Sequence, residues 1–264
     1  MPKVNFTKMV ASGNDFVVIS GDKLSAIRYP LYAKNLCDRK YGIGADGLLV
    51  LGKSRIADIR MRIFNADGSE AEMCGNGARC AALYAGKKSV DIETKAGIIE
   101  SKVDGNNVKI KLTDPHGLRL DIPIKVNDRI LKVNFINTGV PHTVIFVEGL
   151  DKIDVFKLGR QIRYHRHFAP RGTNVNFVEV LNSASVKVRT YERGVEDETL
   201  ACGTGSVASA LVYAICYMPY ANSINVLTKG GEVLRVYFKR KDNKIQDVWL
   251  EGKARISYKG ECYV

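Results

Sequence analysis

Alternation of apolar and polar residues predicts short strands along much of the chain. The clearest examples are IRMRIF at 59–64 and VKVRTY at 186–191, whose two-residue period is typical of half-buried strands. A turn that contains glycine, at residues 104–106, separates two later strands and indicates a hairpin. The pattern therefore predicts a largely antiparallel sheet structure.

Four helices are expected among these strands. The first is predicted at Leu31–Lys40, after Pro30 and before Gly42, and its counterpart near Asp154–Tyr164. The other two are predicted to begin directly after the Cys-Gly-x-Gly segments that start at residues 74 and 202. Strands and helices together indicate the α+β class.

The sequence contains an internal repeat. CGNGARCAAL at Cys74 resembles CGTGSVASAL at Cys202, an offset of 128 residues (202 − 74). Two further matches keep the same order along both halves. Before the cysteines, Gly44 matches Gly172 and Asp46 matches Asn174 at that offset. After them, TKAG at 94–97 matches TKGG at 228–231. Ordered matches of this kind predict two homologous halves, joined near residues 115–120.

Composition and charge narrow the class of protein. The 264 residues are 45% hydrophobic, enough for one large domain or two small ones. No signal-peptide core or membrane-spanning apolar run is present, so a soluble cytoplasmic protein is expected. The net charge of +12 is spread along the chain, which favours a solvated basic surface and only weak, non-specific association with nucleic acid.

The cysteines do not form a metal or disulfide pattern. Six occur in the whole chain, and no two are spaced as Cys-x-x-Cys. His165 and His167 have no third ligand nearby in the sequence, so we expect a polar helix end there and no metal site. Cys37, Cys80, Cys216 and Cys262 are expected to be structural.

Cys74 and Cys202 each precede a predicted helix in corresponding positions of the two halves. A helix N-terminus stabilises anions, so a lowered thiol pKa is expected there, and its free N–H groups can hold a carboxylate. Two such thiols suit inversion at one carbon, in which a thiolate removes a proton from one face and a thiol supplies one to the other. Buried small residues at tight helix starts are the structural alternative.

Five segments in order resemble the diaminopimelate epimerase family: KMVASGNDFVVI at 8–19, FNADGSEAEMCGNGARC at 64–80, NTGVPH at 137–142, RGTNVNFVEV at 171–180 and YERGVEDETLACGTGS at 191–206. The resemblance implies an isomerase that needs no pyridoxal phosphate or other cofactor and interconverts LL- and meso-diaminopimelate, for lysine and peptidoglycan precursors. It also implies two pseudo-symmetric, largely antiparallel β domains, each wrapped around a central helix, with the active site in the cleft between them. The expected domains are 1–115, completed by 252–264, and 116–251. A homodimer is a further expectation from the family.

The resemblance assigns roles by matching position. Cys74 and Cys202 match the catalytic acid–base pair, and His142 and Glu192 match residues that tune or orient the thiols. The matching substrate-binding residues are Asn14, Asn65, Gly75, Asn76, Asn174, Arg193, Gly203 and Thr204. Amides, backbone N–H groups and a guanidinium suit an amino acid with carboxylate and ammonium groups. Taken without the resemblance, the asparagines are ordinary turn formers.

Two departures and three alternatives accompany this interpretation. Gly47 and Val140 stand where many family members have glutamine and asparagine. A related cofactor-independent isomerase, of the proline racemase or phenazine-pathway type, is the nearest alternative, although Arg193 and Asn65 argue against proline. A thiol redox protein and a nucleic-acid-binding protein are alternatives from other classes.

Overall fold

The computed structural model describes residues 3–21, 28–241 and 244–263. The chain divides into two compact units. The first unit comprises residues 1–111 and 252–264, and the second comprises residues 112–251.

The elements follow one another in a repeated order. Up to residue 111 they are β1 (Lys3–Ala11), β2 (Asn14–Ser20), α1 (Tyr29–Cys37), β3 (Gly47–Gly52), β4 (Ile59–Asn65), β5 (Glu70–Ala71), α2 (Gly75–Ala85), β6 (Ser89–Thr94), β7 (Gly97–Asp104) and β8 (Asn107–Lys111). The remaining elements are β9 (His116–Val126), β10 (Arg129–Asn137), β11 (Pro141–Phe146), α3 (Val155–Arg163), β12 (Asn174–Asn182), β13 (Ser185–Glu192), β14 (Asp197–Thr199), α4 (Gly203–Tyr217), β15 (Ser223–Thr228), β16 (Val233–Lys241), β17 (Lys244–Lys253) and β18 (Arg255–Tyr263). Two short 3₁₀ turns, Leu150–Lys152 and Arg166–Phe168, flank α3.

Strand pairing has the same order in both units. In the first it runs β18-β1-β2-β3-β4-β6-β7-β8. In the second it runs β9-β10-β11-β12-β13-β15-β16-β17. The pairs β2–β3, β4–β6, β11–β12 and β13–β15 are parallel, and the other pairs in these two series are antiparallel. The predicted α+β class and largely antiparallel pattern are therefore confirmed.

An ion-pair cluster is also repeated. In the first unit Glu70 accepts from Arg62 at 2.7 Å and from Lys95 at 2.9 Å. In the second unit Glu198 accepts from Arg189 at 2.7 Å and from Lys229 at 2.8 Å. Lys95 and Lys229 are the lysines of TKAG and TKGG, so each unit uses its copy of this segment to fix the strand before the cysteine.

Three of the four predicted helices are confirmed, and the first is shifted. It spans Tyr29–Cys37, not 31–40, with Pro30 inside its first turn. Proline is tolerated there because the N–H groups of a first turn have no partner within the helix. The helix ends early because the Asp38 carboxylate accepts from the backbone N–H groups of Lys40 and Tyr41, both at 2.7 Å, which forms a local turn instead.

The strand β9 begins at His116, so the residues expected as a joint pair with β10. The division between the two units lies between residues 111 and 112. Leu118 and Leu120 are exposed, whereas Ile122 and Ile124 are buried. Only the second part of the strand therefore has the buried alternation that a sequence pattern can detect, which explains why its start was predicted to be a joint between the halves.

The helices α2 and α4 are each packed among the strands of their own unit. Ala78, Cys80, Ala81 and Ala82 of α2 have no exposed surface, and the small side chains let the surrounding strands approach closely. All residues of α4 from 205 to 214 are buried. Such a helix owes its stability to packing on every side. In the part of the chain that the structure describes, no helix is long and apolar enough to span a membrane.

We expect Leu211→Ala, in the middle of α4, to lower the free energy of unfolding by about 2–5 kcal/mol, because it leaves a cavity in a fully buried position. Leu200→Ala is the control, since Leu200 is 53% exposed, and a change within about 0.5 kcal/mol is expected. Urea unfolding followed by circular dichroism measures both. Equal losses in the two variants would show that α4 is not a central packing element.

Candidate active site

Each predicted acid–base cysteine is the N-cap residue of a central helix. Cys74 precedes α2 with φ −142° and ψ 124°, and Cys202 precedes α4 with φ −114° and ψ 112°. Both are extended, the conformation that a helix N-cap requires. The Cys74 sulfur accepts a hydrogen bond from the Gly77 N–H at 3.5 Å. The sequence repeat thus becomes a structural one, with a thiol at the positive end of each helix.

The surroundings of Cys202 favour its protonated form. Burial, followed by the negative charge of Glu192, raises the pKa of the Cys202 thiol well above its usual range. Burial also raises the pKa of Glu192, although hydrogen bonds from Thr199 and Cys202 oppose that shift. The Thr199 hydroxyl donates to the Glu192 carboxylate at 3.1 Å. The expected lowering of the thiol pKa by the helix N-terminus is therefore wrong for Cys202, because desolvation and a neighbouring carboxylate outweigh the helix end.

His142 lies within the second unit without any exposed surface. Its burial, followed by the positive charge of Arg193, lowers its pKa to about 3, so the imidazole is neutral at physiological pH. The Nδ1 atom lies 3.2 Å from the Asn176 amide nitrogen. Asn176 also donates to the Thr143 carbonyl oxygen at 3.0 Å and accepts from the Thr190 hydroxyl at 3.0 Å.

Asn176 brings this network against the first turn of α4. A Cβ atom built on Gly205 would overlap the Asn176 Oδ1 atom and lie 3.2 Å from the Cys202 sulfur. Only glycine permits such a close approach. Asn176 and the Cys202 sulfur are thus neighbours across Gly205, which connects the surroundings of His142 with the thiol.

Asn174 and Arg193 are held together beside this network. The Asn174 carboxamide donates to the Pro141 carbonyl oxygen at 3.0 Å and accepts from the backbone N–H of Arg193 at 2.8 Å. Asn174 is also the β-sheet partner of His142. The guanidinium of Arg193 makes a long contact, 3.5 Å, with the Arg171 carbonyl oxygen. The asparagine thus fixes the backbone at Arg193.

The first unit arranges its predicted residues in a chain of hydrogen bonds. Buried Arg79 donates to the Asn76 carboxamide oxygen, and Asn76 in turn donates to the Asn14 carboxamide oxygen. The Asn14 amide donates to Asp46 at 3.1 Å. The Asp46 carboxylate also accepts from Arg39 at 2.7 Å. The orientation of both predicted substrate-binding amides is therefore fixed from within the protein.

The remaining predicted residues differ in their surroundings. Asn65 is exposed and donates to the Ser69 hydroxyl at 2.9 Å, which is the turn chemistry of an Asn-Ala-Asp-Gly segment. Gly75 and Gly203 are the first residues of their helices. Thr204 is the second residue of α4. Its hydroxyl is 3.6 Å from the Cys202 sulfur, and its carbonyl oxygen accepts from the Thr138 hydroxyl at 3.1 Å.

The departure at Gly47 has a local reason. A Cβ atom there would lie 2.9 Å from the Phe64 carbonyl oxygen and 3.4 Å from the Phe16 ring. A glutamine would therefore require the neighbouring strand to move. In the described ranges no group of three or more His, Cys, Asp or Glu side chains is placed to hold a metal ion.

Sequence reasoning missed Asn176, Thr190, Arg79 and Asp46 as parts of the site. Asn176 lies two residues after Asn174 on one strand, so the two side chains share a face of the sheet. That periodicity was the available signal for Asn176. Arg79 carried another signal, because a charged residue occurs among small apolar ones in a helix that was expected to be central.

Glu192→Gln is expected to lower the pKa of Cys202, because it removes both the negative charge and the acceptor beside the thiol. The measurement is the rate of alkylation of Cys202 against pH, followed by peptide mass spectrometry. The pH of half-maximal rate should fall. At a fixed pH below it the rate should rise about tenfold for each unit of the fall.

Glu179→Gln is the matched control, since this carboxylate of the same unit accepts from Gly149 and Leu150 backbone N–H groups and not from a thiol. Its profile should coincide with that of the unmodified protein. An unchanged profile in Glu192→Gln would show that the carboxylate does not govern the titration of Cys202.

Curated relatives resemble the chain over almost its whole length. A diaminopimelate epimerase from Hydrogenobaculum sp. (strain Y04AAS1) is 43% identical, covering 96% of each chain. A diaminopimelate epimerase from Methanocella arvoryzae is 44% identical, covering 100% of this chain and 98% of the relative.

Solved structures share the fold at much lower identity. A phenazine biosynthesis protein of the PhzF family from Bacillus anthracis superimposes with a TM-score of 0.77 at 21% identity, covering 100% of both chains. A hydroxyproline epimerase from Agrobacterium vitis gives a TM-score of 0.69 at 14% identity, covering 98% of this chain and 92% of that one. These likenesses concern the fold alone.

The model of the diaminopimelate epimerase family matches residues 6–116 and 134–256, which include both N-cap cysteines. With the full-length relatives, this match establishes that the chain belongs to the diaminopimelate epimerase family.

Proposed function

We propose that the protein interconverts LL- and meso-diaminopimelate by inverting one α-carbon, with Cys74 and Cys202 as the acid–base pair. The observation that carries the proposal is the repeated N-cap thiol, present in both units at the start of corresponding central helices. Membership of the family supports the substrate. A single N-cap thiol would suit a nucleophile equally well, whereas a repeated one suits two-base chemistry.

The proposed reaction conserves atoms and electrons. A thiolate takes the α-hydrogen as a proton, so that one S–H bond forms while the C–H bond breaks. The electron pair stays on the substrate and is delocalised into its carboxylate. The other thiol then gives its proton to the opposite face of the carbon, leaving a thiolate. Backbone N–H groups at the helix N-termini, at Gly75 and Gly203, would stabilise the carboxylate as its charge increases.

The contacts of Cys202 suggest which thiol is the acid at rest. Glu192 and burial favour the protonated form of Cys202, so we assign to it the role of acid in the free enzyme. Cys74 is then the resting base. After one turnover the protonation states of the two thiols are exchanged. Release of a proton from one thiol to water and uptake of a proton from water by the other restore the starting state before the next turnover in the same direction. Glu192 thus has the role of holding the Cys202 proton, as a residue that acts through the thiol.

The polar residues suit a substrate with two amino-acid ends. We propose that Asn14 and Asn76, whose amides are oriented by Asp46 and Arg79, bind the end at the reacting carbon. Arg193 and Asn174 would bind carboxylate through guanidinium and amide donors. Asn65 would serve the distal end. His142 is proposed as a neutral hydrogen-bond donor beside the reacting group.

We also propose a cellular location, an oligomeric state and a pathway for the enzyme. We assign the enzyme to the cytoplasm, as a homodimer that acts without pyridoxal phosphate in the supply of lysine and peptidoglycan precursors. Family membership supports these assignments. Sedimentation velocity of the purified protein measures its oligomeric state.

The test is proton exchange of LL-diaminopimelate in deuterated water, followed by NMR. The reduced protein is expected to incorporate deuterium at the α-carbon and to form the meso isomer. Cys74→Ala and Cys202→Ala should each slow isomer formation by about 10²–10⁴-fold, because an acid or base has been removed. Cys216→Ala is the control, since Cys216 is an exposed thiol near the end of α4, and it should retain full activity.

The same assay separates the alternatives. The hydroxyproline epimerase likeness makes a related racemase with another substrate the second candidate, so proline and hydroxyproline are assayed in parallel and should not exchange. If the folded, reduced protein exchanged proline and not diaminopimelate, the substrate assignment would be wrong. Full inversion by either cysteine variant would refute the two-thiol mechanism.

A further inference from the structure

The carboxamide of Asn176 has one permitted orientation. Its nitrogen lies 3.0 Å from the Thr143 carbonyl oxygen, which can only accept a hydrogen bond. Rotating the carboxamide by 180° would put two acceptor oxygens in contact in a fully buried place. The Thr190 hydroxyl donates to the other end of the group, at 3.0 Å. The nitrogen of Asn176, and not its oxygen, therefore faces His142.

This orientation decides where the proton of His142 lies. The Asn176 nitrogen, 3.2 Å from Nδ1, is a donor only. A neutral imidazole that accepts at Nδ1 must carry its hydrogen on Nε2. Nε2 is buried and has no hydrogen-bond partner among the residues that the structure describes. Leaving a buried N–H unpaired is costly, so such a group is typical of a site that receives a ligand.

We propose that Asn176 is a positioning residue, which holds His142 as the neutral tautomer with its hydrogen on Nε2, so that this N–H donates to the bound amino acid. Its catalytic consequence rests on the proposed function. His142 then acts as a fixed hydrogen-bond donor and does not compete with the thiols as a base. The contact of Asn176 with Gly205 places this device beside Cys202.

The tautomer is measured directly by long-range ¹H–¹⁵N NMR of protein labelled at the histidine rings, with His142→Gln used to assign the signals. In the unmodified protein, Nε2 should be protonated and Nδ1 unprotonated as a single form. In Asn176→Asp the acceptor oxygen that faces Nδ1 should move the proton to Nδ1 or charge the ring. If the unmodified protein carries its hydrogen on Nδ1, the proposal is wrong, and no variant is needed to show it.

Asn134→Asp is the matched control. Asn134 is a buried asparagine of the same unit whose amide donates to the Val144 carbonyl oxygen at 3.3 Å and whose oxygen accepts from the Asp121 N–H at 3.2 Å. It introduces a buried carboxyl group on the adjacent strand at a side chain that is hydrogen-bonded to Val144 and Asp121 and not to His142, so the tautomer should not change. Where Asn176→Asp fails to fold, Asn176→Ala is used, and a mixture of both tautomers is expected.

Kinetics with diaminopimelate add a separate outcome. Asn176→Asp should lower kcat roughly a hundredfold, as displacement of a positioned group does, while Asn134→Asp retains kcat. A changed tautomer with unchanged kcat would overturn the catalytic part of the proposal. If the unmodified protein is inactive on diaminopimelate but shows the single Nε2–H form, the proposed substrate fails and the role of Asn176 in fixing the tautomer stands.

Discussion

The close approach of Asn176 to Gly205 constrains much of the second unit. A β-strand carboxamide touches the first turn of a buried helix at a point where any side chain would overlap it. Because the carboxamide is also bound to Thr143, Thr190 and His142, none of these groups can move without disturbing the helix start. Cys202 is the N-cap of that same helix. Its thiol is therefore placed by the packing of strands and helix together.

The two units differ in the polar and charged side chains that are buried near the starts of their central helices. In the second unit a carboxylate and a hydroxyl lie beside Cys202. Asn176, which contacts the neutral imidazole of His142, lies on the other side of Gly205. The first unit places the buried guanidinium of Arg79 in α2, one turn beyond Cys74. The corresponding position in α4 is Val207, which is buried and apolar. The two units share strand order and the Arg–Glu–Lys cluster, yet they have diverged in the charged side chains buried at their central helices.

The proposed reaction requires the two thiols to be in opposite protonation states, and this divergence suits that requirement. A carboxylate close to one thiol favours its protonated form. A perfectly symmetric pair would have to divide one proton between equivalent sites. Duplication followed by local substitution thus gives related surroundings with distinct electrostatics, while the backbone framework is retained.

The sequence by itself determined the repeat, the α+β class, the helices after each Cys-Gly-x-Gly segment and the two cysteines. These features have local signals: alternation with a period of two, glycines at helix starts and similar segments in a fixed order. The two ends of α1 were harder to predict from the sequence. A proline can either precede a helix or occupy its first turn. The helix ends at a turn that depends on only two hydrogen bonds from backbone N–H groups to Asp38.

Only the tertiary structure decided the protonation of Cys202 and the partner of His142. The sequence places Cys202 at a helix N-terminus, which by itself predicts a lowered pKa, but burial and Glu192 reverse the direction. Asn176 is 34 residues from His142 along the chain, and their contact exists because β11 and β12 are adjacent parallel strands. Desolvation and contacts between distant residues depend on how strands and helices pack. This is why motif spacing could predict the candidate reactive groups but not their protonation states.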